Sequence, residues 1–419
     1  MKTLVCNAGS SSVKFKLFES EEDVRYVDGR PKPVVEPVAN GVIENIGQEN
    51  AHLKSHNVLG DAFRTVTADT YDDVMNILVD ALVNVPGAPL GDLSEVDAVG
   101  HRIAHAGDAY SYSQVIDQDV LDVIDRYSEL APLHNPFALK VIGACGDLFP
   151  KALQVAAFDT AFHQTIPRRN YIYPIPYRYY EKYNIRKFGF HGISHKYVSR
   201  RAAEFLREDL RSLKMVTCHL GAGASICAID HGFSMDTSMG YTPLDGVIMN
   251  TRSGSVDPAI ITAIMEKENL TPKEMDDILN RESGMKGVSG QSGDLRELKE
   301  VIKHGDAQSE LAYDIFLTSV RRTIGGYAFE LAGIDAIVCT AGVGENDPYA
   351  RRLIFRGLEP YGIEIDEDRN QATGKGDKLI SSDRSEVKVL VIPTDEEAEI
   401  ARDVALISAG IDISDPWAY

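Results

Sequence analysis

The sequence has no apolar run of the ~18–20 residues that a membrane-spanning helix needs. It starts at once with a strand-like segment, so we expect no secretory leader and no membrane partner. Apolar residues make up 44% of the chain and charged residues 25%, the balance of a globular protein. At 419 residues, two domains are expected rather than one.

Positive charge is in short supply. The chain carries 43 Lys and Arg against 63 Asp and Glu, a formal net charge of −20. Proteins that bind nucleic acid usually carry a basic stripe, so this balance argues against a nucleic-acid partner. It does not exclude a small polyanionic substrate, because a few local arginines are enough to bind one.

Cysteine is scarce, and its spacing matches no metal-binding pattern. Most of the cysteines lie in apolar segments, so we expect buried free thiols and a cytoplasmic location, where thiols stay reduced. The five positions are Cys6, Cys145, Cys218, Cys227 and Cys339.

Several signature motifs of enzymes are also absent. The sequence has no GxxxxGK[ST] phosphate loop and no HRD…DFG set of protein kinases. The nearest approach to a Gly-x-Ser-x-Gly nucleophile elbow, residues 221–225 (GAGAS), does not match it. P-loop enzymes, protein kinases and hydrolases with that elbow are therefore disfavoured.

What the sequence does contain is a recurring turn rich in glycine or serine. Residues 4–18 (LVCNAGSSSVKFKLF) read as two strands around such a turn, whose N–H groups, hydroxyls and Lys14 suit phosphate oxygens. A single turn of this kind is more often only a hairpin connection. Residues 215–230 (MVTCHLGAGASICAID) repeat the pattern half a chain later, as a duplicated domain would.

A third glycine turn, residues 336–346 (AIVCTAGVGEN), follows a buried-type strand and opens a helix. Helix N-termini present free N–H groups and a positive dipole end to phosphates. Three such turns make phosphate binding the leading hypothesis.

Polar residues follow other strand-like segments. A strand at 96–100 runs into His101 and Arg102, and a buried strand beginning at 155 is followed at once by Asp159. Open α/β sheets keep their ligands at the carboxyl ends of their strands. An aspartate there is usually a cap or a turn former, but it is also where a Mg²⁺ ligand would lie.

Periodicity predicts the remaining elements. His191 lies in a tight loop before a basic helix expected at 196–206, and Arg252 lies in a Gly/Ser-rich loop before another helix. Residues 19–70 are expected to form edge strands and loops, and 287–294 a glycine-rich loop. Further helices are predicted at 71–85, 118–127, about 135–149, 259–268, 272–281, 294–303, 307–332 and 396–409, and a last strand at 387–393.

Phosphate turns, loop arginines, loop histidines and carboxylates at element ends suit phosphoryl transfer. That reaction needs in-line positioning and neutralisation of charge on the equatorial oxygens more than covalent help. Planar arginine forks can also hold a carboxylate acceptor in a bidentate manner.

These motifs resemble those of the acetate kinase family, in order and over nearly the whole chain. The matching blocks are 7–14 (NAGSSSVK), 101–105 (HRIAH), 132–136 (PLHNP), 158–163 (FDTAFH), 188–192 (FGFHG), 236–240 (DTSMG), 251–254 (TRSG), 342–346 (GVGEN) and 394–397 (TDEE).

The resemblance implies an α/β fold of the actin/hexokinase/Hsp70-like superfamily, with two duplicated ribonuclease-H-like (βββαβα) domains and a cleft between them. Residues 1–153 would form the N-terminal domain, completed by a C-terminal helix in 395–419. Residues 154–394 would form the C-terminal domain, which binds nucleotide and dimerises. The implied partners are substrates and a second copy of the chain.

The resemblance also implies the reaction, which is reversible, direct in-line transfer of a phosphoryl group from ATP to acetate, giving acetyl phosphate and ADP. The expected cofactor is Mg²⁺, with Mn²⁺ as a substitute. By the family's motifs, Asn7 and Glu396 would lie at the metal, with Asp159 as a catalytic group beside them.

The other implied site residues fall into three groups. Arg102 and Arg252 would bind the acceptor carboxylate and stabilise the transferring group, with His191 assisting and His134 nearby. The pocket for the acetate methyl would be lined by Ala104, Leu133, Phe190 and Pro243. The nucleotide would be bound by Lys14, His219, Gly221, Gly223, Asp294, Leu295, Arg296, Gly342, Val343, Gly344 and Asn346.

Three departures from the family pattern bear on specificity. Ala104 stands where a branched residue is usual, so propionate should be accepted unusually well, since one methylene discriminates by only ~1–3 kcal/mol. Ala222 replaces the Asn of an HLGNG loop, and Asn250 and Ser255 replace Gly and Asp of GTRSGD. The last two departures raise pyrophosphate or another nucleotide as an alternative donor, with ATP favoured because the adenosine-side residues match.

Two further alternatives stay open. A butyrate or branched-chain acid kinase of the same fold matches the motifs less closely. A non-catalytic nucleotide-binding module of the same superfamily has no need of two loop arginines, so Arg102 and Arg252 argue against it.

Overall fold

The computed structural model describes residues 1–21, 24–27, 29–374 and 376–414. Its contacts divide the chain into two compact units, Met1–Gln164 with Asp395–Tyr419, and Thr165–Thr394. The chain leaves the first unit later than the expected boundary at 153/154, because the strand Leu153–Phe158 pairs within the first sheet. Of the expected segment 395–419, residues 415–419 lie outside the described residues.

Strands and helices follow one another along the chain with short connections. The first unit contains β1 (Lys2–Ala8), β2 (Ser12–Ser20), β3 (Arg25–Val27), β4 (Arg30–Lys32), β5 (Val35–Glu44), β6 (His52–Asn57), β7 (Gly60–Thr65), α1 (Tyr71–Val83), β8 (Ala98–Ile103), β9 (Gln114–Val115), α2 (Gln118–Arg126), α3 (Asn135–Leu148) and β10 (Leu153–Phe158).

The second unit follows, and one helix then returns to the first. The elements are α4 (Arg168–Tyr171), α5 (Arg178–Tyr183), α6 (Gly192–Leu206), β11 (Lys214–Leu220), β12 (Ala224–Asp230), β13 (Phe233–Thr237), α7 (Pro258–Glu268), α8 (Pro272–Asp277), α9 (Gly284–Ser289), α10 (Leu295–Lys303), α11 (Ala307–Glu330), β14 (Ala336–Thr340), α12 (Ala341–Asn346), α13 (Pro348–Phe355), α14 (Glu367–Gln371), β15 (Lys378–Leu379), β16 (Lys388–Val391) and, in the first unit, α15 (Glu396–Ser408).

Both large sheets are built on the same plan. The first has the order β7-β6-β5-β2-β1-β8-β10-β9, and the second the order β13-β12-β11-β14-β16-β15. In each, three antiparallel strands are followed by two strands parallel to the first of them. The five core strands are β5-β2-β1-β8-β10 in the first sheet and β13-β12-β11-β14-β16 in the second. Numbered along the chain within each unit, both sets have the order third, second, first, fourth, fifth. The predicted duplicated α/β fold is confirmed.

Helices from distant parts of the chain cover the sheets. α15, which follows the last strands of the second unit, packs on β1 and β8 of the first unit. α6, which follows the fifth core strand of the first unit, packs on β11 and β14 of the second. A Cβ on Gly100 in β8 would lie 2.6 Å from Cγ2 of Ile400, so α15 can approach the sheet only because glycine stands there.

Each unit has its own apolar interior, formed by its strands and the helices on them. All five cysteines are buried and free, as expected from their apolar surroundings. Among the described residues, no helix combines the length and the apolar character that crossing a membrane requires.

Several element bounds differ from the predictions for identifiable reasons. β8 runs to Ile103, so Arg102 lies inside the strand rather than past its end. α6 begins at Gly192, four residues early, because His191 takes a left-handed backbone (φ 57°) that the helix can follow. Part of the predicted loop 287–294 is helical, since α9 runs to Ser289. β5 is an interior strand and not an edge strand.

The close approach of α15 to β8 generates a stability prediction. Gly100→Ala should lower the free energy of unfolding by about 1–3 kcal/mol, because the added methyl overlaps Ile400 and Val404. Gly143→Ala in α3 is the matched control, since nothing lies within 4 Å of its Cβ position, and it should stabilise by about 0.4–1 kcal/mol. Urea unfolding followed by circular dichroism measures both. Equal effects of the two substitutions would contradict the packing argument.

Candidate active site

The turn between β1 and β2 is fixed by its backbone. The N–H of Gly9 donates to the carbonyl of Ser12 at 2.9 Å, and the N–H of Ser10 donates to the carbonyl of Leu133 at 3.2 Å. The hydroxyl of Tyr71 donates to the carbonyl of Gly9 at 2.8 Å. The side chains of Ser10 and Ser11 are exposed at this turn. The structure therefore presents the predicted hydroxyls on a rigid loop, with the segment of Leu133 and His134 beside it.

Arg102 is the centre of a buried cluster in the first unit. β1, β8 and β10 are parallel neighbours, so their carboxyl ends meet at one edge of the sheet. Arg102 pairs in register with Asn7, and its Nη1 donates to Asn7 Oδ1 at 3.2 Å. Its Nη2 donates to Asp159, the residue that directly follows β10, and its Nε lies 3.4 Å from Glu396 Oε2. Four residues predicted from separate motifs thus meet.

Electrostatics in this cluster are set by burial. The Asp159 side chain is 2% exposed, and burial raises the pKa of Asp159 to about 6 although the nearby Arg102 charge lowers it. Burial also lowers the pKa of Arg102, but the carboxylates of Asp159 and Glu396 outweigh burial and raise it overall. The guanidinium is therefore permanently charged, and it holds two carboxylates at the edge of the sheet.

One oxygen of this cluster has no protein partner. Asp159 Oδ1 is buried and makes no hydrogen bond with the described residues. Together with the oxygens of Glu396 and Asn7 it offers the hard donors that Mg²⁺ prefers. Among the described residues there is no group of three or more His, Cys, Asp or Glu side chains arranged to hold a metal alone. Mg²⁺ in phosphoryl-transfer sites takes one or two carboxylates plus phosphate and water oxygens, so the donors present fit.

Three histidines meet around the turn between β11 and β12 in the second unit. The rings of His191 and His219 stack at 4.2 Å with 20° between their planes. Ser225 Oγ lies 2.9 Å from His191 Nδ1 and 2.8 Å from His195 Nε2. Ser194 Oγ lies 2.8 Å from His219 Nδ1. The predicted residues His191 and His219 are brought together by partners that were not predicted.

Arg252 lies against the same turn. A Cβ on Gly223 would lie 3.4 Å from Arg252 Nη1 and 3.5 Å from His191 Cε1. The same Nη1 donates to the carbonyl of Pro243 at 3.3 Å, and burial lowers the pKa of Arg252. Among the described residues Arg252 makes no ion pair with a carboxylate, so its charge is available to an anionic ligand.

The third glycine turn is adjacent to the second. The Cβ position of Gly221 lies 3.6 Å from Cβ of Ala341, the first residue of α12. Glu345 accepts hydrogen bonds from the N–H groups of Ala341 at 2.8 Å and Thr394 at 3.1 Å. The Asn346 amide donates to the carbonyl of Gly342 at 3.0 Å. The strand and the helix predicted for this segment are confirmed, but no turn separates them: α12 begins directly after β14, and Gly342 and Gly344 lie within its first turn.

The predicted adenosine-side residues Asp294, Leu295 and Arg296 open α10. Asp294 caps the helix by accepting from the N–H of Arg296 at 2.8 Å, and the Arg296 guanidinium holds the pKa of Asp294 below its usual value. Leu295 is buried, whereas the Arg296 side chain is 89% exposed. Lys299 connects this helix to the third turn by an ion pair with Asp347 at 2.7 Å.

The departures Ala222 and Asn250 are neighbours. The N–H of Asn250 lies 3.5 Å from the carbonyl of Ala222 at the second turn. A Cβ on Gly293 would lie 2.4 Å from the carbonyl oxygen of Asn250, so the segment before α10 packs closely on it. Ser255 donates to Asp245 Oδ1 at 2.5 Å, where an aspartate would place two carboxylates together. Asn250 therefore contacts the turn through its backbone.

The predicted methyl-pocket residues divide between the units. Ala104 is half-buried directly after β8, two residues from Arg102, and Leu133 is 50% exposed beside the first turn. In the second unit, Phe190 is buried and Pro243 is half-buried at Arg252. Lys14 is exposed on β2, in register with Asn7.

Ser225, His195 and Thr217 were not identified from the sequence. All three are fully buried polar residues, and each belongs to a strand or helix in which an inward polar side chain breaks the apolar pattern. The signal that could have found them is the spacing of His191 and His195 by one helical turn, which puts both rings on one face.

Known proteins resemble this chain over nearly its whole length. A sequence model of the family described as Acetokinase family matches residues 2–402. An acetate kinase of Thermoanaerobacterium thermosaccharolyticum is 48% identical over 97% of this chain and 99% of the relative. The crystal structure of Porphyromonas gingivalis acetate kinase has a TM-score of 0.89 at 38% identity, covering 97% and 99% of the two chains. A Francisella tularensis propionate kinase has a TM-score of 0.86 at 38% identity, covering 96% and 98%.

The buried pair of Arg102 and Asp159 generates a stability prediction. Arg102→Met should cost about 3–5 kcal/mol of unfolding free energy at pH 7.5, because it leaves the Asp159 carboxylate buried without its cation. Adding Asp159→Asn should recover most of that loss. Arg296→Met is the control, since its ion pair with Asp294 is exposed and screened by solvent and should contribute little to stability.

The loss of unfolding free energy caused by Arg102→Met should also be smaller at acidic pH. Arg102 lowers the pKa of Asp159, so in the folded variant this pKa lies above the value of about 6 that it has in the native protein. The variant therefore takes up its proton at a higher pH than the native protein does, and its loss of stability shrinks as the pH falls towards about 6. Denaturant titrations at pH 7.5 and pH 5 measure the change. A penalty that is the same in the double variant and at both pH values would contradict the role given to Asp159.

Proposed function

The chain belongs to the acetokinase family and is an enzyme that transfers a phosphoryl group to a carboxylate, and on this premise we propose a Mg²⁺-dependent, reversible, in-line transfer between ATP and acetate. The observation that carries the proposal is the buried cluster of Asn7, Arg102, Asp159 and Glu396. It joins a permanent cation to hard oxygen donors at the carboxyl edge of a sheet. The products would be acetyl phosphate and ADP.

Arg102 and Arg252 would bind the two anionic groups of the reaction, the transferring phosphoryl group and the acceptor carboxylate. Arg102 and Arg252 are both largely buried, and a guanidinium in a water-poor site stabilises charge on equatorial phosphoryl oxygens. A planar guanidinium also fits the acceptor carboxylate in a bidentate manner. His191, whose ring lies at the turn of Gly223 near Arg252, would donate to the transferring group, with His134 near the acceptor.

Mg²⁺ would be held by Glu396 and Asn7, with Asp159 beside it. The unpartnered Oδ1 of Asp159 supports this assignment. When bound, Mg²⁺ neutralises phosphate charge and orients the donor. Mn²⁺ prefers the same oxygen ligands and could take its place.

The nucleotide would be bound mainly by the second unit. The proposal is supported by the proximity of Gly221 to Ala341 and by the ion pair of Lys299 with Asp347. The residues that would bind the phosphates are His219, Gly221, Gly223, Gly342, Val343 and Gly344. Lys14 of the first unit is also proposed as a phosphate-binding residue. Asp294, Leu295, Arg296 and Asn346 would border the adenosine.

We also propose a homodimer formed through the second unit and a cytoplasmic location. Large apolar side chains are exposed on two helices of that unit, which supports a protein partner there. On α7 this is Ile260 at 49% exposure, and on α11 they are Leu311 at 53%, Ile315 at 38% and Phe329 at 84%.

A second acceptor is favoured by one residue. Ala104 adjoins Arg102 and is smaller than the branched residue usual in the family, which leaves room for an additional methylene. Propionate is therefore proposed as a substrate of comparable efficiency. The non-catalytic alternative is disfavoured by the intact charged cluster.

The donor is tested by trapping acyl phosphate with hydroxylamine. Purified protein with acetate and Mg²⁺ should give product with ATP and none with pyrophosphate, because the adenosine-side residues are in place. Arg252→Met should abolish product, while Gly143→Ala, which lies in open space, should retain full activity. Product with pyrophosphate alone would mean that Ala222 and Asn250 have changed the donor. No product with either would contradict the proposed function.

The acceptor is tested by Ala104→Val. In the native protein, kcat/KM for propionate and acetate should agree within about tenfold, and the variant should lower the propionate-to-acetate ratio by about 10- to 200-fold. Ala109→Val is the control, because Ala109 is exposed in the following loop and should leave the ratio unchanged. A strong acetate preference in the native protein would contradict an enlarged pocket.

A further inference from the structure

A chain of hydrogen bonds runs from the interior of the second unit to His191. Thr217 Oγ1 lies 2.7 Å from His195 Nδ1, His195 Nε2 lies 2.8 Å from Ser225 Oγ, and Ser225 Oγ lies 2.9 Å from His191 Nδ1. Thr217, His195 and Ser225 are all 0% exposed. The order of atoms is therefore Thr217, His195, Ser225, His191.

Local structure explains why these groups meet. His195 follows His191 by one turn of α6, and its N–H donates to the carbonyl of His191 at 2.9 Å. His195 lies on the face of α6 that packs on the second sheet, and the ring of His191, the residue before the helix, is brought there by its contacts with Ser225 and His219. Thr217 in β11 and Ser225 in β12 point inward from that sheet.

The number of available hydrogens decides which atom donates and which accepts in each of these hydrogen bonds. Among the described residues, the only side-chain partner of the Thr217 hydroxyl is His195 Nδ1, and Ser225 has only the two imidazoles. A buried donor left without an acceptor is destabilising, because it has given up its hydrogen bonds to water and gained none in return. Thr217 therefore donates to His195 Nδ1, which leaves the hydrogen of neutral His195 on Nε2 to donate to Ser225.

The same argument decides which ring nitrogen of neutral His191 carries the hydrogen. Ser225 accepts from His195, so its single hydrogen is donated to His191 Nδ1. His191 Nδ1 is then an acceptor, and the ring hydrogen of neutral His191 lies on Nε2. The opposite direction would leave the hydrogen of the buried Thr217 hydroxyl without an acceptor.

His191 Nε2 lies beside the turn between β11 and β12, close to Arg252. A Cβ on Gly223 would lie 3.6 Å from His191 Nε2 and 3.4 Å from Arg252 Nη1, so the two nitrogens lie on the same side of Gly223. A second positive charge next to Arg252 is electrostatically costly, which favours a neutral donor there.

We infer that Thr217, His195 and Ser225 are positioning residues that hold His191 as the Nε2–H tautomer, so that its N–H donates to the phosphoryl group held by Arg252. The inference rests on the proposed phosphoryl transfer for its role, whereas the tautomer itself is a property of the protein alone. Ser194 holds His219, on which His191 stacks, through a separate arm that ends at Thr394.

The tautomer is tested directly by NMR of the full protein labelled with ¹⁵N-histidine. Long-range ¹H–¹⁵N correlations at pH 8 should show His191 with a protonated Nε2 and an unprotonated Nδ1, with the signal assigned by its loss in His191→Gln. Ser225→Ala should give a mixture of tautomers, and Ser225→Thr, which keeps the hydroxyl, should restore the native pattern. Ser194→Ala removes a buried hydroxyl of the other arm and should leave the His191 tautomer unchanged.

Kinetics provide the second measurement. Ser225→Ala should lower kcat by about 10- to 100-fold, less than the roughly 10²–10³ expected for complete loss of a donor, with KM for ATP changed by less than about twofold. A native His191 carrying its hydrogen on Nδ1, or an unchanged tautomer in Ser225→Ala, would overturn the inference. An Nε2–H tautomer in a protein that forms no acyl phosphate would leave the tautomer standing and contradict the proposed function instead.

Discussion

The ion pair between Arg102 and Asp159 is the contact on which the first unit's site depends. Two parallel strands bring these residues to one edge of the sheet, and burial makes each expensive without the other. The carboxylate of Glu396 arrives from a helix at the far end of the chain and shares the same guanidinium. Because Arg102 organises three oxygen-bearing groups, the geometry of that edge follows largely from one side chain.

In the second unit, the contacts around Arg252 come from neutral groups. Its histidines are held by hydroxyls and by ring stacking, and Arg252 has no carboxylate partner among the described residues. A cation kept free of counter-charges retains its attraction for an anionic ligand. The first unit thus holds a cation paired to oxygen donors, and the second holds a cation that has no carboxylate partner among the described residues.

The sequence predicted correctly those polar residues that lie at the ends of strands or helices. The strand–turn–strand repeats, Asp159 after its strand and Glu396 at the head of a helix all follow from local patterns. It misplaced Arg102, because the polar pair of His101 and Arg102 reads as the end of a strand that in fact continues to Ile103. Pairing of Arg102 and Ile103 with β10 extends the strand, and no local sequence pattern indicates that pairing.

The buried hydroxyls were missed for a related reason. In isolation, Thr217 and Ser225 are small strand residues with no evident task, and only the pairing of β11 with β12 and the position of α6 reveal what they contact. The proximity of Ala222 to Asn250 likewise depends on tertiary structure. Two positions that differ from the family pattern and lie far apart in the sequence are thus in contact with each other.

The return of α15 to the first sheet has a consequence for how the molecule is made. The ribosome must finish the entire second unit before Glu396 and the helix behind it emerge. At about 5–20 residues per second, the nascent first sheet waits on the order of ten seconds or more with the surface around Gly100 uncovered. The cluster around Arg102 is consequently among the last parts of the polypeptide to be completed, and chains released early would lack Glu396 and α15.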